Sequence, residues 1–173
     1  MNSLPKTNLN QFDIKDGMSV ADFGSGSGHY VFDASTRVGY NGHVYAIEIQ
    51  KGLLLRLEND LKEKHITNTT CIWGDIEKKN GTKIADGIID RVIISNVFFQ
   101  VEDKLGVIDE AKRILKKDGM ILLLDWSESS IIPTSDYVVK EEKAKDMFLM
   151  RDLKFVKNIS AGDHHYGIIF KHE

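Results

Sequence analysis

The stretch Val20-Ala21-Asp22-Phe23-Gly24-Ser25-Gly26-Ser27-Gly28-His29-Tyr30 carries the most chemical information in the chain: an apolar run ending in an acid and three alternating glycines. A ligand can approach backbone that lacks a Cβ, and such a loop needs dihedrals that glycine tolerates. The N-terminus of the helix starting behind it would supply free N–H groups and a positive dipole end to an anionic group. A glycine-rich strand-to-helix turn without a ligand is the competing reading. Twenty residues beyond Gly28, the apolar run Val44-Tyr45-Ala46-Ile47 ends in Glu48. A carboxylate has two acceptor oxygens and can take both hydroxyls of a ribose, or it can be surface acidity. Gly74-Asp75-Ile76 follows a further apolar run; an Asp after a Gly is also common turn chemistry.

These positions need elements to hold them. Short apolar runs alternate with longer amphipathic ones, the pattern of a parallel α/β sheet. Strands are expected at Ser19–Phe23, His43–Ile47, Thr69–Trp73, Arg91–Ser95 and Met120–Asp125, the last entered through the turn Asp118-Gly119. A helix should run from His29 to Val38, closed by Gly39. Leu53, Leu57 and Leu61 mark the apolar stripe of the next helix, and Val101, Leu105, Ile108 and Leu115 that of a third. After Tyr137–Arg151, which reads as helical, Lys154–Ser160 and Tyr166–His172 read as an antiparallel hairpin joined by Ala161-Gly162-Asp163. Gly24 to Gly28, Glu48, Asp75 and Ser95-Asn96 then all fall beyond the carboxyl ends of strands, the edge where open parallel sheets bind ligands.

Glycine spacing separates two ligand classes. A dinucleotide fingerprint places its third glycine three residues after the second; here His29 holds that position. With Asp22 two residues before Gly24, the segment resembles the first motif of class I S-adenosylmethionine-dependent methyltransferases. Ser95-Asn96 resembles that family's fourth motif, beside the sulfonium and the acceptor. Glu110 to Met120 resembles the turn before the fifth strand in its ubiquinone- and menaquinone-type branch, with Lys-Asp-Gly in place of Pro-Gly-Gly. The resemblance implies a Rossmann-like, doubly wound α/β fold with a mostly parallel seven-stranded sheet and a C-terminal antiparallel hairpin. It also implies S-adenosyl-L-methionine as cofactor, with Asp75 accepting from the adenine amino group and Ile76 beside the base. The cofactor set is then Asp22, Gly24, Ser25, Gly26, Gly28, Tyr30, Glu48, Ile49, Asp75, Ile76, Ser95 and Asn96.

Methyl transfer from a sulfonium is an in-line displacement that asks the protein to align the acceptor and exclude water. A base is needed only when the acceptor must lose a proton. His164 and His165, in the turn before the last strand, are candidates for that role, or they are exposed polar residues of a hairpin. Phe98 and Trp126 sit at strand ends and would wall an acceptor pocket or pack in the core. No metal site is expected, because Asp125 lacks a neighbouring Asp-Asn pair. The Asn-Pro-Pro-Tyr signature of base amino-group methylation is absent, as are the several cysteines the resemblance implies for arsenite methylation. The one cysteine, Cys71, reads as a buried, inert thiol.

The 173 residues, 42% hydrophobic and 28% charged, suit a single cytoplasmic domain, with a short segment 1–17 and a core from 18 to 173. No apolar run is long enough to span a bilayer. A net charge of -3 argues against a phosphate-tracking surface, so a small-molecule acceptor is favoured over nucleic acid. Only a short N-terminus and a short link between Asp125 and Tyr137 are available to cover the acceptor. An open site is therefore expected, closed by a second copy, a partner subunit, a macromolecular substrate or the N-terminus itself. A non-catalytic, partner-dependent subunit and a nicotinamide-dependent oxidoreductase are the alternative functions; glycine spacing and the lack of a Tyr-x-x-x-Lys pair oppose the latter.

Overall fold

The computed structural model describes residues 5–128 and 137–173. Seven strands form one sheet in the order β3-β2-β1-β4-β5-β7-β6. They are β1 (Ser19–Phe23), β2 (His43–Glu48), β3 (Thr69–Trp73), β4 (Ile89–Ser95), β5 (Leu115–Trp126), β6 (Leu153–Ile159) and β7 (His165–His172). β1 to β5 pair in parallel, and β7 runs antiparallel between β5 and β6. The topology reverses direction between β1 and β4, so a crevice opens there beyond the strands' carboxyl ends.

Two apolar layers flank the sheet. On one side, α2 (His29–Val38) and α3 (Lys51–Glu63) cover it with Val31, Ala34, Leu57 and Leu61. A short helix α1 (Pro5–Leu9), not foreseen in the sequence, joins this layer: Leu9 and the following Phe12 are fully buried. On the other side lie α4 (Lys104–Ile114) and α5 (Glu141–Leu149), packed through Ile108, Ala111, Ala144 and Phe148. Strand alternation divides side chains between layers. Ile121 and Leu123 of β5 face α4 and α5, while Leu122 and Leu124 face α1 to α3.

Several expected boundaries shift for identifiable reasons. In α3 the core positions are Leu54, Leu57 and Leu61, whereas Leu53 is half-buried at the crevice. β5 begins at Leu115 instead of Met120, because Leu115 pairs with Ile89 before an irregularity that resumes at Arg91 and Met120. The Asp118-Gly119 turn is that irregularity, with Asp118 at φ 66. The C-terminal helix starts at Glu141, and Cys71 is half-buried on an edge strand, its thiol pushed up to about 11 by burial and by Glu58. Most of the link between Asp125 and Tyr137 lies outside the described residues.

Candidate functional site

A cavity of about 780 Å³ occupies the crevice at the carboxyl edge of the sheet. The glycine loop forms its floor. Gly24 has φ 69, and a Cβ there would lie 2.8 Å from Val97 Cγ2, so the loop and the segment after β4 come together only through glycine. Gly24 and Ser25 N–H both donate to Ile47 O, at 2.9 and 3.0 Å. Gly26 N–H donates to Glu48 Oε2 at 3.0 Å, and Gly28 N–H to Ser25 O at 2.8 Å. These amides are engaged within the protein. An anionic group would instead meet the open first turn of α2 at Ser27 and His29. Gly28 itself does not line the cavity; it caps α2 at φ 83.

Glu48 closes β2 and is 5% exposed, with Oε1 accepting from Gln50 N–H at 2.8 Å. Each oxygen thus receives one backbone amide, which fixes the carboxylate and leaves one acceptor direction per oxygen for the cavity. Asp22, from β1, is 2% exposed and lines the same space. Burial, then the charge of Glu48, pushes its carboxyl up to about 7. Two acids in one crevice make it receptive to a cation.

Asp75 and Ile76 line the far wall, where Glu77 N–H donates to Asp75 Oδ1 at 2.9 Å. That wall is tight: a Cβ on Gly74 would lie 2.4 Å from Gly81 O. Glu110, buried in α4, holds the adjoining chain by accepting from Asn80 and Thr82 N–H and from Thr82 Oγ1. Ser95 and Asn96 end β4 beside the loop, with Asn96 in the left-handed region at φ 53. Ser25 Oγ, Ser95 Oγ and Asn96 Oδ1 are buried and without a hydrogen-bond partner among the described residues. Buried polar atoms are rarely left so, and a cluster of them facing one cavity marks a place for a polar ligand.

At the other end stand Tyr30, Trp126 and His165. Asn8 Nδ2 donates to Tyr30 Oη at 2.8 Å, so α1 braces this wall, and Pro5 lines the cavity. Trp126 and His165 are cross-strand partners whose rings stand 4.0 Å apart at 35°. Of the expected site residues, Ile49 lies at the exposed rim, 56% accessible. Besides Gly28, two do not reach the cavity. Phe98 is fully buried against Phe148 and belongs to the α5 side of the core. His164 is half-buried just before β7, where its carbonyl accepts from Ser127 N–H at 2.9 Å. Pro5, Gln50, Leu53, Gln100 and Val101 line the cavity with no motif to announce them. No three His, Cys, Asp or Glu side chains converge as a metal site among the described residues, and no described helix is long and apolar enough to cross a membrane.

A family described as a methyltransferase domain matches residues 14–169. The chain is 36% identical over 120 residues to the human arsenite methyltransferase, covering 66% of this chain and 32% of that protein. It is 24% identical over 124 residues to a Geobacillus demethylmenaquinone methyltransferase, covering 72% and 52% respectively. The chain thus spans between a third and about half of these curated relatives. In fold it superimposes on a SAM-dependent methyltransferase from Aquifex aeolicus with a TM-score of 0.91 at 22% identity, covering 99% of this chain and 90% of that one.

Proposed function

The chain belongs to the methyltransferase domain family, and from that premise we propose that it transfers the methyl group of S-adenosylmethionine to a small-molecule acceptor. The carrying observation is the fit of the cavity to that cofactor. Glu48 has an acceptor direction on each oxygen for the two ribose hydroxyls. The Gly24 cradle admits a ligand that a Cβ would exclude. Asp22 and Glu48 together supply negative potential for a ligand carrying a sulfonium and an ammonium. Ser25, Ser95 and Asn96 offer polar atoms that the protein itself leaves unmatched. Asp75 and Ile76, on the β3 side, suit the amino group and face of an adenine.

The cofactor, when bound, supplies an activated methyl group on a positively charged sulfur. The protein's work is then to hold both reactants and keep water out. The glycine loop and Glu48 fix the nucleoside, and Ser95-Asn96 stand on β4 between it and the aromatic end of the cavity. α1, through Pro5 and Asn8, shields that end. Arsenite as acceptor is disfavoured by the site itself. The chain's one cysteine, Cys71, is on β3 and does not line the cavity, so thiolate capture of a metalloid has no ligand there.

Titration calorimetry with S-adenosylhomocysteine tests the reading. Glu48→Ala should weaken binding by about 1–3 kcal/mol. Wild-type protein that gives no binding heat, or a Glu48→Ala variant of unchanged affinity, would refute it.

A further inference from the structure

Resting on the cofactor reading above, we propose that His165 takes the proton from the methyl acceptor, and that this acceptor is a small aromatic molecule presenting a hydroxyl group. His165 is 8% exposed, lines the cavity, and has neither Nδ1 nor Nε2 hydrogen-bonded among the described residues. An imidazole buried with both nitrogens unmatched is a costly arrangement unless a ligand completes it. Its place in the sheet separates it from the nucleoside. β7 lies four strand spacings from β2, about 19 Å, so His165 is at the opposite end of the crevice from Glu48.

The surroundings define the acceptor. Trp126 packs on His165, and Tyr30 and Pro5 line the same cavity, which gives flat, apolar walls suited to an aromatic ring. Burial, then the neighbouring His164, holds the His165 imidazole below its ordinary range, so it is neutral and able to accept a proton. An ammonium acceptor would call for a buried anion beside it. Asp22 and Glu48 are three and four strands away. Asp125, on adjacent β5, shares the opposite face of the sheet with its cross-strand partner Tyr166, while Trp126 and His165 share this one. A carboxylate acceptor would already be ionised and need no base. A hydroxyl fits: its oxygen forms the new O–C bond, the C–S bond breaks with its electron pair passing to sulfur, and the hydroxyl proton moves to the imidazole, which later releases it to solvent.

The test begins with S-adenosylhomocysteine calorimetry on wild type and His165→Gln. Equal affinity is expected; no binding by wild type refutes the cofactor reading and this inference with it, and loss in the variant alone refutes the assignment of His165 to the acceptor end. 4-Nitrophenol is then added to the S-adenosylhomocysteine complex at a pH where the free probe is protonated. Wild type should bind it, and His165→Gln should bind it about tenfold more weakly. A probe that does not bind, an affinity unchanged in the variant, or benzylamine binding more tightly than 4-nitrophenol would overturn the proposal. A measurement on native His165 guards against misfolding of the variant. Trp73→Phe leaves Trp126 as the only indole, and its emission should be quenched by imidazolium with a midpoint below the ordinary histidine range. A midpoint well above that range would make His165 a cation near neutrality and defeat the assignment.

Discussion

Replacing Asp22 by Asn removes a buried ionisable group while preserving its shape. The Asp22 carboxyl is raised from 3.8 to about 7, by burial first and by Glu48 second. Between those two values the folded state holds a proton that the unfolded chain has lost. Stability therefore falls as pH rises through that window, by about 1.36 kcal/mol per unit, or about 4 kcal/mol in all. Asn has no proton to lose, so the variant should match wild type near pH 3.5. It should gain about 1–2 kcal/mol at pH 5 and about 4 kcal/mol at pH 8. For a chain of this length that is roughly 10 °C in melting temperature at pH 8. Melting curves followed by circular dichroism across this pH range provide the measurement. A cationic cofactor reverses the balance, because it stabilises the carboxylate. Wild type should then release a proton on binding S-adenosylmethionine near neutrality, seen as a binding heat that changes with buffer ionisation enthalpy. Asp22→Asn should bind more weakly and lose that buffer dependence. A stability gain that is the same at every pH, or tighter binding by the variant, would refute the claim of a buried, strained carboxylate.

Two glycines of the loop should respond differently to alanine. Gly28→Ala combines φ 83 with a Cβ 2.4 Å from the buried Leu57 Cδ1, whereas at Gly26, φ 52, nothing but Gly24 O at 3.9 Å is near. Urea denaturation should show Gly28→Ala destabilised by about 2–3 kcal/mol and Gly26→Ala by about 1 kcal/mol. Equal losses would mean the Leu57 contact is relieved without cost. Phe98, as a core residue against Phe148, should lose about 3–5 kcal/mol on truncation to Ala and under 1.5 kcal/mol on change to Leu. Calorimetry on Phe98→Leu should give wild-type affinity for S-adenosylhomocysteine; a large change would return Phe98 to the cavity wall.

Much of the fold is legible because it is locally determined. β1, α2 and β3 occupy the residues expected, since each is an apolar or amphipathic run bounded by glycine or polar residues. The departures arise where a distant partner decides. Leu115 joins β5 because Ile89 is there to pair with it, although its spacing also suits the preceding helix. Leu53 and Leu54 are chemically alike, and only the crevice on one side of α3 assigns the second to the core. α1 is too short to show a periodic pattern, and its helix rests on burial of Leu9 and on the Asn8–Tyr30 hydrogen bond.

The two ends of the cavity differ in the same way. The end proposed for the nucleoside is built from strand termini that each carry a short motif: Asp22 to Ser27, Glu48, Asp75-Ile76 and Ser95-Asn96. A parallel sheet brings such termini to one edge whatever the loops do, so spacing along the chain is enough to collect them. The hydrogen bonds that tie the loop to Ile47 and Glu48, by contrast, are made across strands and leave no trace in local sequence. The end proposed for the acceptor joins Pro5, Tyr30, Trp126 and His165, residues separated by most of the chain. An antiparallel β7 is what delivers His165 there, since reversing its direction places the first residue of the strand, not the last, at the ligand edge. Strand direction and alternation also decide between adjacent histidines. His165 pairs with Trp126 on the cavity face, and His164, one residue earlier and outside the strand, does not reach it.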